Sequence, residues 1–219
     1  MTEFPGRKMR PVLHCYFLAR WEPELEQRTS QALPGAVLSF VRRQELVAAA
    51  RWWPAGRRAA PELILEYNAA LAAASNLATV LPWRFGTCFP SESAIATFLE
   101  ERRAELLAAL DRLEGKVEMT LRGPLEPGAT ADERADRIRQ TLRPLESRFE
   151  VQTNARGEAV LEITHLVERQ DVAAYRERLE GQALEASGPR APFHFLPQFL
   201  RLPVRSERRA GRARSAAAG

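Results

Sequence analysis

The side chains best suited to catalysis or metal binding in this 219-residue sequence are three histidines, two cysteines and scattered carboxylates. His14, His165 and His194 stand in unrelated segments, and none has a second ligand close by in sequence. Zinc sites usually carry such close ligand pairs. A metal centre would have to be assembled by the fold alone, so no metal and no cofactor are expected. Cys88 follows Gly86-Thr87 without an adjacent histidine to lower its pKa, which suits a buried free thiol better than a nucleophile. The phosphate-cradling GxGxxG and GxxxxGK[ST] patterns are missing, as are GxSxG and CxxC. Glu118 falls on the polar face of a candidate strand. A general base needs partners, and a lone carboxylate reads as a surface or interface residue. Trp52 and Trp53 lie beside Arg51, Arg57 and Arg58, a pairing that could stack on nucleic acid. The RNP-type aromatic signature is absent from the strands at Val117 to Leu121 and Ala159 to Ile163, so these tryptophans read as core or interface residues.

Positioning any of these groups falls to the elements around them. Val12 to Ala19 is a nearly continuous apolar run and predicts a buried strand. Trp21 to Ala32, polar and containing Pro23, reads as a loop, and Leu33-Pro34-Gly35 as a turn. Ala36 to Val41 predicts a second strand, while Leu46 to Trp53 fits strand or helix. Pro61 to Thr79 predicts a helix, with Pro61 at its first position and an apolar face through Leu63, Tyr67, Ala70, Leu71 and Ala74. Val80 to Phe89 is broken by Pro82 and Gly86 and is expected to be a strand or a buried loop. Ser91 can cap a long helix running to Leu113, with Gly115 at its left-handed end.

From Lys116 the pattern changes. Lys116 to Arg122 alternates as a half-buried strand, and Asp132 to Leu145 is helical with Ile138, Leu142 and Leu145 inward. Phe149 to Thr153 and Ala159 to Val167 are joined by the hairpin turn Asn154 to Gly157. A helix from Asp171 to Glu180 and a strand within Gln182 to Ser187 complete a β-α-β-β-α-β order, the ferredoxin-like arrangement. The expected fold class is therefore α+β with two domains. Residues 1–114 form an N-terminal domain and 115–187 a ferredoxin-like one. They are followed by an extended aromatic and proline-rich packing segment, 188–204, whose prolines argue against helix, and a disordered basic tail, 205–219.

Hydrophobic residues make up 45% of the chain and charged ones 27%, an ordinary globular balance. Two cysteines rule out a disulfide-stapled framework. No apolar run is long enough to span a bilayer, and Met1 to Arg10 lacks a signal-peptide core. The net charge of +4 suggests nucleic-acid binding at first sight. However, the tail from Arg205 holds five arginines and one acid, which leaves the rest of the chain charge-balanced.

The stretch from Tyr67 to Arg122 resembles the gas vesicle GvpL/GvpF family. Leu81, Pro82, Arg84, Phe85, Gly86, Thr87 and Phe89 match its LP-x-RFGT-x-F segment. Gly115, Lys116, Val117 and Glu118 match its G-K-V-E strand. Leu166, Val167, Asp171, Val172 and Tyr175 follow a further family pattern. GPRAPFHF keeps Gly188, Pro189, Pro192 and Phe195 of a closing GPWPPYSF and departs from it at Arg190, Ala191, Phe193 and His194. Tyr16 supplies the aromatic of an N-terminal strand whose glycine is missing, and Tyr67 stands where the family has histidine. The resemblance implies a non-enzymatic structural or accessory protein of cytoplasmic gas vesicles. Its implied partners are the shell protein and other vesicle proteins, with no nucleic acid, no membrane, and self-association allowed. Leu81, Pro82, Arg84, Phe85, Gly86, Glu118, Phe193 and Phe195 are the candidate family-motif or interaction residues, with Trp52, Trp53 and Phe199 as further contact candidates. If Arg84 is buried, its guanidinium must find a carboxylate or carbonyls, which would make it a bridge between the domains. Residue by residue, a small-molecule enzyme on a ferredoxin-like scaffold and a nucleic-acid-binding module using the arginine tail remain alternatives.

Overall fold

The computed structural model describes residues 10–33, 35–54, 60–125 and 128–201. The expected basic tail, Pro34, Arg57, Arg58 and the end of the proline-rich segment lie outside these residues.

The first half builds an antiparallel sheet around β1 (Val12–Arg20). Its other strands are β2 (Ser39–Arg43), β3 (Leu46–Trp53), β4 (Val80–Pro82) and β5 (Cys88–Phe89), in the order β2-β3-β1-β4 with β5 also paired to β1. β1 is central, which is why its sequence is apolar without alternation: both of its faces are covered. One face packs on α1 (Pro23–Gln31) and α2 (Pro61–Ser75) through Phe17, Ala19, Leu25, Tyr67 and Leu71. The other packs on α3 (Glu92–Glu101) and α4 (Arg103–Leu113) through Leu13, Leu18, Ile95, Leu106 and Leu110.

The second half builds another antiparallel sheet, ordered β7-β8-β6-β9. Its strands are β6 (Lys116–Pro124), β7 (Glu146–Thr153), β8 (Ala159–Glu168) and β9 (Glu185–Arg190). α5 (Ala131–Leu142) and α6 (Val172–Glu177) close one face, packing Ile138 and Tyr175 with Met119, Leu121 and Ile163 of the sheet. The architecture is mixed α+β with antiparallel sheets.

Several expectations fail for identifiable reasons. Trp21 to Ala32 is not a loop, since α1 starts at Pro23. Proline at a first helical position loses no hydrogen bond, and Leu25 and Thr29, four residues apart, are buried. The same physics overturns the expectation that Gly188 to Val204 holds no helix: a 3-10 turn spans Phe193–Phe195 and α7 spans Gln198–Arg201, directly after Pro197. The single helix expected from Ser91 to Leu113 is broken at Arg102, with φ −105° and ψ 10°; nothing in the packing explains the break. Leu145 is not inward but 52% exposed, because Arg143 turns left-handed at φ 50° and ends α5 before it.

Phe195, Leu196 and Leu200 belong to the same buried cluster as Leu81, Trp83 and Phe89 of the first half. Burying each such side chain contributes ~1.5–3 kcal/mol. Polar ties join the first half both to this stretch and to the second half. Arg112 donates from Nη1 to Glu146 at 2.6 Å and from Nη2 to the Phe195 carbonyl. Arg169 donates to the Ser75 carbonyl at 2.8 Å.

Candidate interaction site

The segment from Leu81 to Phe89 is bound to β1 at both ends and turns outward in between. The Trp83 N–H donates to the Tyr16 carbonyl, and the Cys15 N–H to the Thr87 carbonyl, both at 2.9 Å. Between them, the Thr87 N–H donates to the Arg84 carbonyl at 2.9 Å and closes a turn. Gly86 occupies its third position at φ +88°, a conformation that turns of this kind reserve for glycine. The Gly86 N–H donates to His14 Nε2 at 2.9 Å.

His14 is the buttress of this turn. Its ring stacks on Trp53 at 3.8 Å between centroids and meets Phe85 edge-on at 5.1 Å. Burial pulls its pKa down to about 4, against the opposing charge of Glu66. A neutral imidazole that accepts at Nε2 carries its proton on Nδ1. Beneath it, the Tyr16 hydroxyl and Arg51 both donate to Glu66, and the Tyr67 hydroxyl donates to the Trp83 carbonyl. The turn is thus fixed by aromatic packing, an imidazole and main-chain bonds.

The motif residues divide accordingly. Leu81 and Pro82 are buried, Phe85 is half-buried on His14, and Arg84 and Gly86 are exposed. Arg84 does not bridge the two halves; it points outward and has no hydrogen-bond or ion-pair partner among the described residues. The bridging falls to Arg112 and Arg169. Trp52 is 44% exposed and Trp53 only 5%.

Glu118 also lies elsewhere than its strand pattern suggests. It is 1% exposed, because the chain after β9 folds over that face of the sheet. Its Oε2 accepts from the His194 N–H at 2.8 Å, and its Oε1 pairs with His194 Nδ1 at 3.0 Å. The hydrogen bond to Glu118 raises the pKa of His194. A cleft of 340 Å³ opens beside the pair, lined by Arg122, Glu162, Ser187 and Arg190 among others. Both oxygens of Glu118 are engaged in holding the chain at His194, and Glu162 is paired with Arg122. The pair therefore works as a fastening for the Phe193–Phe195 turn. Phe193 is half-buried and Phe195 is 1% exposed, so Phe195 offers no surface to a partner.

Sequence reasoning considered His14 and His194 only as metal ligands and missed both of these roles. His14 stands 72 residues from Gly86, and His194 76 residues from Glu118, so no local spacing announces either contact. Among the described residues no group of His, Cys, Asp and Glu is gathered as a metal would need, and no helix is long and apolar enough to cross a membrane.

Two crystal structures share this fold. The gas vesicle protein GvpF from Anabaena sp. PCC7120 superposes with a TM-score of 0.66 at 14% identity, covering 84% of this chain and 95% of that one. GvpF from Microcystis aeruginosa superposes with a TM-score of 0.63 at 12% identity, covering 84% and 98%. The fold is thus that of crystallised gas vesicle proteins. The family described as "Gas vesicle synthesis protein GvpL/GvpF" matches residues 12–133. That is more than half of the chain, and the chain belongs to this family. No curated protein matches the sequence.

Proposed function

We propose that this protein is a non-enzymatic assembly or structural component of gas vesicles in the cytoplasm. In this reading it acts through contacts with the shell protein and other vesicle proteins, and the Arg84 turn is one of the contact points. The observation that carries the reading is the turn itself. A buried imidazole, four aromatic rings and main-chain bonds hold it rigid, yet its guanidinium serves no partner within the described fold. With the backbone of the turn already fixed, docking need order only the Arg84 side chain, whose planar guanidinium suits bidentate capture of a carboxylate or of carbonyls on a partner.

The domain reading goes with it. Residues 1–114 and 115–187 act as two domains, the second ferredoxin-like. Its element order and its antiparallel strand order β7-β8-β6-β9 support this. The Phe193–Leu200 stretch holds the two together.

A pairwise binding assay between the full chain and the purified shell protein tests the contact. Arg84→Ala is expected to leave the melting temperature unchanged and to weaken binding about tenfold or more, the loss typical of a buried interfacial arginine. Equal binding by wild type and variant would remove Arg84 from the interface.

A further inference from the structure

The two edges of the second sheet are finished differently. β9 is six residues long, contains Pro189, which has no N–H to offer, and shifts register against β6 between Glu118 and Thr120. Such features blunt an edge. β7 is eight residues long, in unbroken register with β8, and has no proline, glycine or bulge. Among the described residues it pairs with β8 alone. Phe149 and Val151 on it are 41% and 48% exposed, beside Leu145 at 52%.

The direction of its free main-chain groups follows from the hairpin. The Asn154 N–H donates to the Glu158 carbonyl, and hydrogen-bonded residues alternate along an antiparallel strand. Arg148, Glu150 and Gln152 therefore face β8 with their main-chain groups. Ser147, Phe149, Val151 and Thr153 turn their N–H and C=O groups outward. The side chains of Phe149 and Val151 stand on the helix side, opposite Ile163 and Leu161. A cleft of 480 Å³ between β7 and α5, lined in part by Ala135, Arg139 and Leu145, leaves room beside Phe149 for apolar side chains of an added strand.

The charges of β7 complement themselves. With two copies of Glu146–Thr153 laid antiparallel about Phe149, Arg148 of each falls opposite Glu150 of the other. Phe149 then meets its own copy, and Ser147 meets Val151. Opposite charges and aromatic pairs directly across a ladder both stabilise it, and like charges there destabilise it.

We propose that β7 is a self-association edge, at which a second copy of this chain adds its β7 antiparallel about Phe149 and joins two sheets into one. The interface is isologous and rests on the edge strand, independently of the contact assigned to Arg84.

Sedimentation equilibrium of the full chain tests it, with thermal melting as the check on folding. The wild type is expected to show a reversible monomer–dimer equilibrium. Arg148→Glu and Glu150→Arg each place like charges opposite each other at both symmetric positions, and each should weaken the dimer about tenfold or more. Mixed one to one, the two variants should recover wild-type association, because each supplies the charges the other lacks. Val151→Pro removes an outward N–H without touching the ladder to β8, and should abolish the dimer. A wild type that stays monomeric up to about 0.5 mM, where even weak pairing is populated, would overturn the proposal. So would single variants that associate like wild type, or a mixture that fails to recover.

Discussion

Acid should destabilise this protein well before its carboxylates titrate. His14 and His165 are both fully buried, at 0% exposure. Burial lowers each pKa to about 4, with Glu66 partly opposing the shift at His14. Unfolded, each returns to about 6.5. Between these values the unfolded chain binds two protons that the folded chain refuses, so stability is complete above about pH 6.5 and falls as pH falls. With ~1.36 kcal/mol per pKa unit, each histidine costs about 2 kcal/mol at pH 5 and about 3 kcal/mol at pH 4. His194 works in the opposite direction. Its pKa is raised through Glu118, so its contribution is present at low pH and is lost as pH rises through that raised value. Its side chain is 51% exposed, which leaves it the weaker effect. Urea unfolding at pH 8, 6 and 5 measures the outcome. We expect the wild type to lose about 3–4 kcal/mol between pH 8 and pH 5. The double variant His14→Gln, His165→Gln is expected to start lower and to vary much less over that range. A wild-type stability that is flat or rising from pH 8 to pH 5, or a double variant with the wild-type slope, would refute the assignment of these two imidazoles as buried and neutral.

Phe195→Ala removes a ring that is 1% exposed in the first-half core, and should cost about 3–5 kcal/mol in urea unfolding. A loss under about 1 kcal/mol, the level of an ordinary substitution, would mean that the C-terminal stretch does not pack there. Gly86→Ala meets no atom within 4 Å of the new Cβ, yet must adopt φ +88°. It should cost about 1–2 kcal/mol through backbone strain alone, read as a lower melting temperature; an unchanged one would mean that the turn relaxes freely.

Where local chemistry decides, the sequence was informative. The hairpin at Asn154–Gly157 is written in its turn residues, and Asn154 Oδ1 accepts from the N–H groups of Arg156 and Glu158 at 2.9 and 3.0 Å. Ser91 caps α3 through the Ala94 N–H at 3.2 Å, as a serine before an apolar periodic run should. Proline misled twice, at Pro23 and Pro197, because it was weighed as a breaker where it acts as a starter. Glu118 misled for a different reason. Alternation along β6 correctly separates two faces, but the pattern cannot tell whether the polar face meets water or another segment. Here a segment from the end of the chain covers it, and the carboxylate is satisfied by His194 rather than by solvent.

The candidate site shows the same limit in sharper form. Leu81 to Phe89 reads as one motif, yet its residues do two jobs. Leu81, Pro82, Trp83 and Phe89 are buried in the fold, while Arg84 and Gly86 sit on the surface. Residue type does not separate these jobs, because an arginine in an apolar run reads equally well as a buried bridge. The separation comes from His14, whose Nε2 takes the Gly86 N–H and thereby fixes which way the turn points. A neutral imidazole is required for that bond, since a protonated ring has no acceptor. The burial that makes the protein acid-sensitive therefore also keeps the Arg84 turn in place. Protonating His14 should loosen the turn and the core beneath it together, and acid should weaken any contact made through Arg84 over the same pH range in which the fold loses stability.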